Sequence, residues 1–144
     1  MAASPDARDT SGALVSVHVV PDTSSTIVVA IDVGKNVAAI SATDSSRRRV
    51  LTPTHIALTR SGLDSVVTRI QSASDASMQV RVGVEAAGHN HQPVLGYTWP
   101  SGWELVEVNP ARVAEQRKIF GRRRVKTDAI DLDALTELLL DDME

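Results

Sequence analysis

Asp32, Glu85, Asp128 and Asp131 are the residues whose types and spacing could do chemistry together. They stand in three separated segments, Ile31-Asp-Val-Gly-Lys35, Val84-Glu-Ala-Ala-Gly-His89 and Lys126-Thr-Asp-Ala-Ile-Asp131. Each carboxylate falls at the end or the head of a stretch apolar enough to be buried. There an unpaired charge costs several kcal/mol or takes up a proton. A divalent cation removes that cost. Carboxylate oxygens are the hard ligands that Mg²⁺ and Mn²⁺ take, and several in one cluster can hold two ions that stabilise the attacking and leaving oxygens of a phosphoryl transfer. The four are therefore read as one catalytic metal site.

Each acid also has a plainer reading. Asp128 and Asp131, three apart, continue the edge of the apolar stripe Ile130, Ala134, Leu135, Leu138 and Leu139, whereas Asp133 lies on the other side with Glu137 and Asp141 as a solvated bystander. The plain alternative for the first two is the helix dipole, worth about 0.3–1 kcal/mol each. Asp32 lies in an apolar strand with small neighbours, Ala30 and Gly34, on its own face, which leaves room for a ligand or a helix; a turn-capping Asp is the alternative. Glu85 alternates with Arg81 and Gly83 at the carboxyl end of a strand, where α/β sheets place their sites. Its plain alternative is a surface pair with Arg81. His89 and His91, alternating in a loop, read as solvated or capping residues before metal ligands. Arg122, Arg123, Arg124 and Lys126 immediately precede the paired aspartates and would reach a phosphate held at the metals, so they are read as nucleic-acid-binding residues. Gly34-Lys35 is not a phosphate loop, since the leading glycine and the following Ser/Thr are missing.

The elements that must position these residues follow from periodicity. Ile27–Val33 is a continuous β-branched run, the pattern of a central strand covered on both faces, and Gly34-Lys-Asn36 turns it into a second strand, Val37–Thr43. A third strand, Val50–Leu58, contains Pro53 and belongs at an edge. Ser61 opens a helix with apolar Leu63, Val66, Val67 and Ile70; Gln79–Val84 is the fourth strand, ending at Glu85. A helical or partly helical segment from Gly88 to about Tyr97, a fifth strand Trp103–Val108, a helix from Asn109-Pro110 to about Phe120, the basic loop, and a last helix from Asp128 to about Asp141 capped by Thr127 complete the chain. Three strands in hairpin succession followed by alternating helix and strand predict an α/β fold of the ribonuclease-H type, a mixed five-stranded sheet flanked by helices. Residues 1–26, rich in Ala, Ser, Asp and Thr and broken by Pro5, Gly12 and Pro21, read as a disordered leader to the domain 27–144, with one strand-like stretch at Leu14–Val20.

Composition sets outer bounds. The 144 residues, 42% hydrophobic, can bury one sizeable core. The net charge of −3 hides an asymmetry: seven of 15 basic residues (Arg112, Arg117, Lys118, Arg122, Arg123, Arg124, Lys126) precede a segment from Asp128 that carries seven of 18 acids. Cysteine is absent, which excludes disulfides, thiolate zinc and a cysteine nucleophile and fits a cytoplasmic protein. No apolar run approaches the roughly 20 residues of a membrane span, which argues against membrane partners.

Ile31-Asp-Val-Gly-Lys35, Glu85-Ala-Ala-Gly-His89, Val106-Glu-Val-Asn-Pro110 and Lys126-Thr-Asp-Ala-Ile-Asp131, in this order, closely resemble the N-terminal domain of IS110-family insertion-sequence transposases. The resemblance spans about Ile27 to Asp142. Asn90 departs from it where an aromatic is common, and Tyr97-Thr-Trp-Pro-Ser stands in place of a more helical, basic stretch. It implies a RuvC-like fold whose Asp-Glu-Asp-Asp tetrad, here Asp32, Glu85, Asp128 and Asp131, coordinates Mg²⁺ or Mn²⁺. It further implies divalent-metal-dependent DNA strand cleavage and transfer, with DNA, an element-encoded structured RNA and further copies of the chain as partners. Family members continue into a coiled coil and a domain with a nucleophilic serine, so a chain ending at Glu144 is expected to be a truncated fragment of a longer enzyme. The alternative expectation is a non-catalytic remnant that binds nucleic acid or transposase subunits as a regulator. An actin-like kinase, which also opens with a strand, an Asp and a Gly, would need a second Asp-Gly loop and an adenosine-binding glycine pair, and neither is present.

Overall fold

The computed structural model describes residues 26–74, 77–86, 88, 90–119 and 128–141, with the backbone alone at Asp128 and Ala129. The leader over 1–25, the strand-like Leu14–Val20, the basic residues Arg122, Arg123, Arg124 and Lys126, the cap Thr127 and His89 lie outside the described residues. Thr26, assigned to the leader from sequence, instead opens the first strand.

Strand β1 (Thr26–Val33) is buried on both faces, as its unbroken β-branched run requires. It turns through Gly34, whose N–H donates to the Val37 carbonyl at 2.8 Å, into antiparallel β2 (Val37–Asp44). β3 (Arg49–Ala57) then pairs with β2 as an edge strand. Its register shifts between the Ile40–Thr54 and Ala42–Leu51 pairs, bracketing Pro53, which has no N–H to give a ladder. Two further strands, β4 (Gln79–Glu85) and β5 (Glu104–Val108), run parallel to β1 and complete a mixed sheet of order β3-β2-β1-β4-β5.

Helices cover both faces. On one, α1 (Arg60–Ala73) and the short α2 (Gln92–Gly96) supply Val66, Ile70 and Val94 to a core with Ile27, Val29, Ile31, Val82 and Val84. On the other, α3 (Pro110–Ile119) and α4 (Asp128–Asp141) bring Val113, Leu132, Leu135 and Leu139 against Val28, Ala30 and Ala39. This is the expected ribonuclease-H-like arrangement. α1 begins one residue before the expected Ser61, because the Thr59 hydroxyl caps it by accepting from the Gly62 N–H at 3.0 Å.

The stripe read for the last helix is buried throughout, but so are Leu132, Thr136 and Leu140. A helix apolar on nearly all sides is a core helix; α4 is one because α3 covers the flank that the sheet does not. The room read beside Asp32 at Ala30 is therefore filled by α4, with Ala30 fully buried.

Candidate metal centre

Two of the four predicted ligands come from neighbouring parallel strands. The β1–β4 ladder pairs Ala30 with Gly83 and ends at Ile31 with Val84, so Asp32 and Glu85 follow the last pair side by side, on strands about 4.8 Å apart. The pleat sets their direction. Ile31 and Val84 belong to the α1 face, while Ala30 and Gly83 lie under α4, so the next residues of both strands face the α3–α4 layer. Both acids are half-buried. Arg81, the partner proposed for Glu85 in the plainer reading, is held instead by Glu104 directly across the β4–β5 pair, Nε to Oε1 at 3.0 Å.

The third predicted ligand, Asp131, lies in the first turns of α4 with only 9% of its surface exposed. That placement agrees with a position along the edge of the apolar stripe, as read from helix phase. Its carboxylate accepts from Arg117 of α3, Nη1 to Oδ1 at 2.9 Å. Asp128 is the first residue of the same helix, which puts it one turn before Asp131 on the helix backbone. Asp133, read as a solvated bystander, does lie apart from Asp131, yet it stands 3.5 Å from Arg49, and Glu137 one turn on binds Arg47 at 2.7 Å. The exposed side of α4 is thus ion-paired to the β2–β3 connection. Among the described residues, no three histidine or carboxylate side chains gather closely enough to hold a metal ion. The donor chemistry nonetheless suits a hard cation: Asp32 and Glu85 share a sheet face, and the buried Asp131 already requires a positive partner.

Three polar features escaped the sequence reading. Arg117 is one. His91, read from sequence as a solvated or capping residue, does stand at the N-cap of α2, but its side chain makes no cap bond and the residue is 6% exposed, with Nε2 2.7 Å from Glu107 Oε2 on β5 and a buried Nδ1 that has no hydrogen-bond partner among the described residues. Together with the Ala86 N–H, which donates to the Val108 carbonyl at 3.0 Å, it ties the connection that follows Glu85 onto β5. Asp44 is a buried acid with a structural role. Its Oδ1 accepts the N–H groups of Ser46 and Arg48, both at 2.9 Å, and shapes the turn in which Arg47 takes φ 67°. Asp-Ser-Ser-Arg was a legible turn signal for it, whereas neither Arg117 nor His91 had one.

The family model for the IS110 type of DEDD transposase (DEDD_Tnp_IS110, Transposase) matches residues 29–144, a span that includes all four acids. No curated protein matches the chain. Among the described residues, no helix is long and apolar enough to cross a membrane.

Proposed function

Because the chain belongs to the IS110 family of DEDD transposases, we propose that it forms the metal-binding part of a DNA-cleaving transposase, with Asp32, Glu85, Asp128 and Asp131 as ligands of Mg²⁺ or Mn²⁺. The observation that carries this reading is the side-by-side position of Asp32 and Glu85, one residue past the last β1–β4 pair and facing the helix layer that bears Asp131. Like charges on neighbouring strands disfavour one another, and a cation between them reverses that cost.

When bound, such a cation would polarise a DNA phosphate and stabilise charge on the attacking and leaving oxygens. The chain's own contribution is placement. Asp32 and Glu85 ride on paired strands of the sheet, and α4 carries the aspartates in the adjacent layer. Arg122, Arg123, Arg124 and Lys126 are proposed as contacts to the DNA backbone, on their position in sequence just before Asp128. A structured RNA and further copies of the chain are proposed partners on the family resemblance alone.

Calorimetric titration with Mn²⁺ tests the assignment. Asp32→Asn, Glu85→Gln and Asp131→Asn should each weaken binding by more than the roughly 10–100-fold that outer partners of a metal site cost, whereas Asp133→Asn should bind like the wild type. Wild-type affinity in Glu85→Gln would sink the reading.

A further inference from the structure

The buried end of the candidate centre already contains a cation, and it is a side chain. Asp131 is nine-tenths buried, and the Arg117 guanidinium lies against it, itself 27% exposed at the last turn of α3. A carboxylate so placed is stable only when neutralised. Arg117 does this with a single hydrogen bond, Nη1 to Oδ1, and not with the two-pronged fork that makes arginine–carboxylate pairs firm. Arg117 lies in the last turn of α3 and the residue that anchors this helix is the buried Val113, a full turn earlier, so the Arg117 head can leave without unpacking the sheet.

We propose that Arg117 is a displaceable counter-ion, which holds Asp131 while the centre has no divalent cation and gives it up when one binds. The inference rests on the metal-site reading above. One carboxylate oxygen cannot serve both positive partners at full strength, since a guanidinium and a divalent ion within a few ångströms of each other repel. Binding of the ion and the Arg117–Asp131 contact therefore oppose each other, and by linkage each weakens the other by the same factor. Once released, the guanidinium is a fork-shaped donor at the rim of the centre, the geometry that phosphate oxygens accept.

The experiment is a Mn²⁺ titration by calorimetry of the whole chain as wild type, Arg117→Gln and Arg117→Lys. Arg117→Gln should bind at least about fivefold more tightly than wild type, the lower end of ordinary coupling between two sites, with Arg117→Lys between them. In chelator the same Arg117→Gln change should lower the melting temperature, and saturating Mn²⁺ should restore more of it than it adds to wild type. Equal or weaker Mn²⁺ binding in Arg117→Gln, with wild-type binding intact, overturns this proposal and leaves the metal site standing. No binding by any of the three overturns both. Should Arg117→Gln not fold, the wild-type Arg117 Nε–Hε resonance decides: slow exchange of its proton in chelator should give way to fast exchange on saturation with Mg²⁺, and an unchanged resonance refutes displacement.

Discussion

Gly83 and Leu139 meet so closely that a Cβ added at Gly83 would lie 2.5 Å from both Leu139 Cδ atoms. Gly83 sits two residues before Glu85 on β4, and Leu139 lies two turns after Asp131 on α4, so this contact sets the depth at which the helix is seated against the sheet. Gly83→Ala should cost about 1–3 kcal/mol, the usual range for overpacking a core. It should also lower Mn²⁺ affinity, because raising α4 draws Asp131 away from Glu85. Adding Leu139→Ala should recover cation affinity, though not stability, which loses a buried leucine as well. Chemical denaturation and calorimetry of the two variants would check this; a Gly83→Ala protein of unchanged stability would contradict it.

The His91–Glu107 pair predicts a different pattern. Glu107 lies opposite Val84 in the β4–β5 ladder, so the pair fixes the connection that begins at Glu85. Glu107→Ala leaves a buried imidazole without the carboxylate that faces its Nε2, a loss of about 1–3 kcal/mol. Glu107→Gln, which keeps a polar oxygen facing Nε2, should restore most of it. If both variants melted with the wild type, the pair would have no part in holding that connection.

Tyr97 provides the pH dependence. Its hydroxyl donates to Asp64 Oδ1 on α1, and burial, then that hydrogen bond and the Asp64 charge, raise its pKa to about 12 against the nearby positive charge of Arg60. The unfolded phenol titrates near pH 10. The folded state keeps its proton longer, so the contribution is complete below pH 10 and is lost as pH rises from 10 towards 12. Tyr97→Phe should remove that alkaline loss and cost about 0.5–1 kcal/mol at neutral pH, modest because the bond is exposed. Tyr97 is the chain's single tyrosine, so an absorbance titration reads it without overlap; a midpoint at the ordinary value would contradict the hydrogen bond.

Burial patterns carried most of what was legible in the sequence. The β-branched run at Ile27–Val33 marked a strand covered on both sides, Pro53 marked an edge, and the phase of α4 put Asp131 at the edge of the apolar stripe and Asp133 on the opposite side, because each depends only on which neighbours are apolar. The adjacency of Asp32 and Glu85 needed one further fact, the parallel register of β1 with β4, which no local pattern encodes. Arg117 was illegible for the same reason: its partner is 14 residues away on another helix, and nothing in the spacing selects it over Arg112 or Lys118. The burial of His91 was illegible because Gly-His-Asn-His is a polar string, and only the Glu107 carboxylate, brought in by β5, makes burying an imidazole tolerable.

The two basic runs should behave oppositely towards nucleic acid. Arg47, Arg48 and Arg49 each have a carboxylate in the fold, Glu137 at 2.7 Å, Asp44 at 3.4 Å and Asp133 at 3.5 Å, so Arg47 and Arg49 brace the β2–β3 turn against α4, Arg48 pairs within the turn, and the run offers little net charge to a phosphate. Replacing Arg49 with alanine should therefore leave duplex DNA affinity and its salt dependence nearly unchanged. Under the proposed function the second run, Arg122–Lys126, binds the DNA backbone. Removing one cation from a phosphate lowers the slope of log affinity against log salt by about 0.9, so Arg122→Ala, Arg123→Ala and Arg124→Ala combined should flatten it by up to about 3. Binding measured by fluorescence anisotropy across a salt series separates the two. An unchanged slope in the triple variant, or a flattened one in Arg49→Ala, would contradict the assignment of DNA binding to the second run.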